Sequence, residues 1–133
     1  MKKDTYFIIR IAIAISMFGH GLVRIPKLDA FASGMTKQFE NSLLPLTLVK
    51  PFAYSLAIAE LVIGLLLLLG LFTRATAWAG AITMFFLLFG TCLIENFGAL
   101  PSQLIHTLFF AALIQFHHAD HWSLDKLLRS KKV

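Results

Sequence analysis

Arg10, His20, Glu60, Thr91, Gln103 and His106 are polar side chains set into otherwise apolar stretches of this chain. An ionisable group in hydrocarbon is costly, so each is a functional candidate by default and needs a partner. A buried carboxylate must be protonated or paired, which makes Glu60 the group able to exchange a proton and Arg10 its expected electrostatic partner. Two imidazoles, an amide and a hydroxyl supply the surrounding hydrogen bonds. Such a set suits a binding site with apolar walls, in which His20 and His106 are the expected hydrogen-bond donors. Glu60 and His106 are then the expected catalytic pair, with Arg10, His20, Thr91 and Gln103 completing the binding site. The same residues also make a structural network that only fixes helix register, and the sequence leaves both readings open.

Other chemistries fall away. Cys92 is the single cysteine, so a dithiol relay, an intrachain disulfide and a Cys-based zinc site are excluded. His20 and His106 alone, without a surrounding motif, are not a haem signature. His117, His118 and His121 crowd one short stretch, but neighbours on a helix point to different faces, so no metal site is expected there. No flavin, nicotinamide or iron–sulfur motif is present, so any redox centre must come from a partner protein. The net charge of +5 does not indicate nucleic acid, because the basic residues gather at the chain ends, where they meet anionic lipid.

The elements that must position these residues are membrane helices. Hydrophobic residues make up 58% of the 133-residue chain and charged ones only 14%, too little polar surface to cover a water-soluble globule, so a soluble enzyme is excluded. Four apolar segments, spanning about 6–23, 52–72, 75–94 and 100–116, each approach the ~20 helical residues that cross a bilayer core. Arg10, Asp4 and the lack of a small-residue cleavage site argue that the first is a span and not a cleaved leader. Short connections at Thr73-Arg74 and at Glu95 to Ala99 make successive helices antiparallel. The predicted fold is an all-α, four-helix antiparallel transmembrane bundle forming a single domain over residues 1–133.

Four crossings put both termini on one side. Lys2, Lys3, Lys126, Arg129, Lys131 and Lys132 gather there, which makes it the cytoplasmic side of an inner membrane by the positive-inside bias. In the opposite loop Leu28, Phe31, Met35 and Phe39 mark one apolar stripe on a short helix between the first two spans. It is expected at the outer interface, either as a lid over the bundle mouth or as an anchor capping the helix ends. The stretch from His117 to Leu128, with Trp122 as an aromatic anchor, reads as an interfacial tail.

Glu60 shares a helix face with Ala53, Ala57 and Gly64, small residues that let another helix approach closely, so it should face the bundle interior. Counting ~1.5 Å per residue puts Glu60 ~15 Å and Arg10 ~6 Å above the cytoplasmic end, an offset two long side chains can just bridge. The same count puts His20 and His106 at ~21 Å, with Gln103 and Thr91 near that height. These residues come from all four helices, and they are expected to form one polar pocket in the outer half of the bundle.

Gly19-His20-Gly21-Leu22, the run from Glu60 through Gly64 to Gly70, Leu71-Phe72-Thr73-Arg74-Ala75 and the closing Ser123-Leu124-Asp125-Lys126-Leu127-Leu128 resemble the DoxX family of small bacterial membrane proteins. That resemblance implies a four-helix membrane domain associated with oxidoreductase complexes. It leads to an inner-membrane subunit of a quinone-linked oxidoreductase, with a non-catalytic scaffold or assembly factor as the competing reading. Arg24-Ile25-Pro26 ahead of Lys27-Leu28, and His106 in the fourth span, depart from the family's usual pattern. Neither the electron donor nor the oligomeric state is legible in the sequence.

Overall fold

The computed structural model describes residues 1–130; Lys131 and Lys132 of the basic terminal cluster lie outside them. The elements are α1 (Lys3–Arg24), α2 (Leu28–Gln38), α3 (Leu46–Leu69), α4 (Thr73–Leu93), α5 (Leu100–Gln115) and a short α6 (Leu124–Ser130), with single 3-10 turns before α2, before α5 and after α5. Four helical stretches are long and apolar enough to cross a membrane: α1 continuing into α2, then α3, α4, and α5 with its preceding turn. These helices overlap the four expected apolar runs, with α3 beginning six residues earlier than its run, because Leu46 to Lys50 add a turn ahead of Pro51, and ending at Leu69.

Tyr6, Met17, Leu67, Phe110 and Leu113 fill the core and Ala14, Ala53, Ala57, Ala77 and Ala81 are buried with them, whereas Ile15, Ile58, Val62, Trp78, Phe85 and Phe89 face outward. Large apolar groups outside and small ones at the helix contacts are the pattern of a bundle solvated by lipid. α1 packs most extensively on α3 and α4 on α5, with α3–α4 and α1–α5 closing the ring. Two glycines set the α1–α3 register. A Cβ on Gly21 would lie 2.6 Å from the Leu61 Cα, and one on Gly64 would lie 2.5 Å from the Phe18 Cα. The backbones touch there, so the small-residue face of α3 does admit a neighbour, and that neighbour is α1.

The end that carries both termini is fastened by Arg10. Its side chain is 1% exposed, donates from Nη1 to the Leu67 carbonyl at 2.5 Å and from Nη2 to the Trp122 carbonyl at 2.5 Å, and approaches Asp120 at 3.6 Å. α3 ends in a Schellman turn: Leu71 N–H returns to the Leu66 carbonyl and Gly70 N–H to that of Leu67, with Gly70 at φ 67°. A Cβ there would stand 2.6 Å from Arg10 Nη1, so glycine is needed for space as well as for conformation. Asp125 at the start of α6 accepts from Thr73 N–H at 3.1 Å, which caps α4. The C-terminal tail is thus docked onto the bundle by polar contacts, a firmer attachment than the interfacial tail expected.

Candidate functional site

At the opposite end a cavity of about 340 Å³ lies among α1, α3, α4 and α5, with α2 laid across it. That volume is at the low end for small-molecule sites. Phe31 and Met35 of α2 and Phe39 just past its end line it, together with Met17, Phe52, Leu56, Met84 and Leu87 from the spans. Three of the four residues of the predicted stripe, Phe31, Met35 and Phe39, therefore face the cavity, as a lid or a cap on the helix ends requires. Tyr54 donates to the Asp29 carboxylate, tying α2 to α3.

The polar lining is His20, Arg24, Glu60, Thr91, Gln103 and His106, with Gln38, Asn96 and Ser102 toward the mouth. Five of the six residues singled out from the sequence are therefore brought together. Arg10 is not: the Arg10–Glu60 pairing is corrected by the structure, in which Glu60 Oε2 accepts from Nη1 of Arg24. The reason is the register. Leu61 packs at Gly21, eleven residues and ~16 Å of helix above Arg10, so Glu60 stands level with the end of α1. Counting residues from the ends of apolar runs does not see that register. It did leave a signal in Ser16, His20 and Arg24, which recur every four residues and so share one face of a helix that runs on through Arg24.

Arg24 also stacks on Phe31, its guanidinium 4.5 Å from the ring centre, so one cation pairs the buried carboxylate and holds the lid. Its side chain is 24% exposed and that of Glu60 4%. His20 and His106 meet edge to face with ring centres 6.1 Å apart. His20 Nδ1 lies 2.7 Å from the Ser16 carbonyl, and His106 Nδ1 lies 2.7 Å from the Ser102 carbonyl. A carbonyl only accepts, so both Nδ1 atoms carry hydrogen. His106 Nε2 contacts Ser16 Oγ at 2.7 Å and His20 Nε2 is left to accept, so the expectation that these two rings donate to a ligand is corrected: each neutral ring gives its one N–H to its own helix. Gln103 Nε2 donates to Thr91 Oγ1 at 2.8 Å, joining α5 to α4. Gln103 Oε1 is buried without a partner.

Together these features define a small polytopic membrane protein with a lidded polar cavity at one end of its bundle. The DoxX family pattern matches residues 5–93, more than half of the chain, and the protein belongs to that family. The match covers His20, Arg24, Glu60 and Thr91, while Gln103 and His106 on α5 lie beyond it. Neither the curated proteins nor the solved structures compared with the chain give a match. Among the described residues no cluster of three or more His, Cys, Asp or Glu is arranged to hold a metal ion.

Proposed function

We propose that the cavity binds the headgroup of a quinone and that the chain is the membrane subunit of a quinone-linked oxidoreductase in the bacterial inner membrane, with both termini cytoplasmic. The observation that carries this reading is a costly polar set gathered around empty space: an ion pair, a histidine with a free ring nitrogen and a glutamine with an orphaned amide oxygen line one cavity with apolar walls. A network that existed only to fix helix register would close on itself. Glu60 is the group able to exchange protons with a bound ring, and Arg24 takes the role first given to Arg10. A redox partner would supply the electrons, since the sequence carries no motif for a flavin, nicotinamide or iron–sulfur centre. Haem is disfavoured because both nitrogens of His106 are already engaged.

That same saturation of His106 favours a second reading, a scaffold in which the polar residues tie α5 to α1 and α4. Melting curves separate the two. His20 bonds only within its own helix, so His20→Leu should leave the fold intact. A short-chain quinone or its quinol should raise the melting temperature of the wild type, and His20→Leu, which removes the Nε2 acceptor, should weaken quinol binding about tenfold, the cost of one hydrogen bond. No shift in the wild type well above micromolar quinone or quinol would leave the scaffold.

A further inference from the structure

The hydrogen-bonding inventory of this cavity is lopsided. Gln103 lines the cavity and commits Nε2 to Thr91, which leaves Oε1 buried behind that lining with no donor. Glu60 receives Arg24 on Oε2, which leaves Oε1 to accept. In a neutral imidazole whose Nδ1 donates, Nε2 is an acceptor, and His20 Nε2 is the uncommitted nitrogen. Two acceptors from two helices thus belong to residues that line one space, and a third, Gln103 Oε1 on α5, is buried just behind its lining. On the other side of the ledger stand the remaining N–H groups of Arg24, while the amides and hydroxyl at the mouth can serve in either role.

We infer that this cavity selects a ligand whose headgroup donates hydrogen bonds, a hydroxyl-bearing aromatic ring such as a hydroquinone, over the carbonyl form of the same ring. The inference rests on the quinone reading of the site and specifies which redox form it holds. A hydroxyl both gives and takes: it donates to Glu60, Gln103 or His20 and still accepts from Arg24. A ring carbonyl can accept from Arg24 and from the amides and hydroxyl at the mouth, but it gives nothing to Glu60 or His20 and supplies no donor to the Gln103 oxygen. A buried acceptor without a donor is the costly case, and supplying the donor relieves it. The last torsion of a glutamine side chain is broad, so the amide can turn Oε1 toward a donor in the cavity, and the same turn moves Nε2 away from Thr91.

The test is anaerobic titration of the purified protein in detergent with three probes of one short-chain ring: the quinol, the quinone and the quinol dimethyl ether. Binding is read from the melting temperature and from calorimetry. The quinol should bind at least tenfold more tightly than either the quinone or the ether, the difference expected for one buried hydrogen bond. Gln103→Met, which removes the orphaned oxygen at nearly constant volume, should narrow that preference severalfold. A quinone that binds as tightly as the quinol overturns this inference while leaving the quinone site standing. Failure of all three probes removes the site itself. If Gln103→Met does not fold, the three-probe comparison on the wild type decides alone.

Discussion

Replacing Arg24 by Met removes the cation that pairs with Glu60, and the two halves of that pair are unequal in burial, 24% exposed for Arg24 against 4% for Glu60. Arg24→Met leaves a carboxylate inside the bundle without its counter-charge, which belongs at the full cost of breaking a buried pair, about 3–5 kcal/mol. Glu60→Gln leaves a cation at the end of α1 that keeps its stack on Phe31, can turn toward the outer headgroups, and still finds an amide oxygen to donate to. That loss should be smaller, about 1.5–3 kcal/mol. The double variant Arg24→Met with Glu60→Gln removes both charges and should lie within ~1 kcal/mol of Glu60→Gln alone, so the coupling should be close to the whole Arg24→Met loss, about 3–5 kcal/mol. Reversible unfolding in mixed micelles, followed by the fluorescence of Trp78 and Trp122, measures all four proteins. The parallel cycle of Arg10→Met with Glu60→Gln should be additive to within ~0.5 kcal/mol, since those side chains sit at opposite ends of α1. Additive losses for Arg24 and Glu60, or coupled losses for Arg10 and Glu60, would refute this account of the pair.

Arg10→Met should release the tail while leaving the cavity intact: residues 120–130 should become sensitive to protease and Trp122 emission should move to the red, whereas quinone affinity should stay within about twofold. Gly21→Ala and Gly64→Ala should each destabilise the bundle by at least ~1–3 kcal/mol, because the added methyl meets backbone on the facing helix, while Gly19→Ala, with nothing within 4 Å, should be neutral or slightly stabilising. Thermal melts of the three variants check this, and equal losses at Gly19 and Gly21 would contradict the α1–α3 register. On a Cys92→Ser background, an impermeant thiol reagent on intact cells should label a cysteine at position 37 and spare one at position 2; the reverse pattern would invert the proposed orientation.

The fold was legible because lipid leaves few solutions: four apolar runs of spanning length with short connections can only be an antiparallel bundle. The face of α3 was equally legible, since Ala53, Ala57, Glu60 and Gly64 recur at helical spacing and are all buried. The pairing of Glu60 was not, because it depends on where two helices touch along their length, and that is fixed by Gly21 and Gly64 meeting backbone across the contact. Arg24 was read as a loop residue because the first apolar run stops at Val23, although the helix itself continues through Arg24 into the lid. Arg10 looked like a site residue because it is charged and lies within a span. Its role emerges only when the Schellman turn at Gly70 and the returning tail are placed around it, and both come from parts of the chain remote in sequence.

The central claim, that the cavity under α2 is a ligand site and not a sealed structural network, is tested most directly by a high-resolution map of the protein extracted together with its native lipid, without detergent exchange. The account predicts a planar headgroup between the lid and Glu60, with one oxygen within ~3 Å of the Glu60 carboxylate and another polar atom facing Gln103 or His20. A cavity filled by an acyl chain or by ordered water alone, with Gln103 Oε1 satisfied by that water, would contradict it.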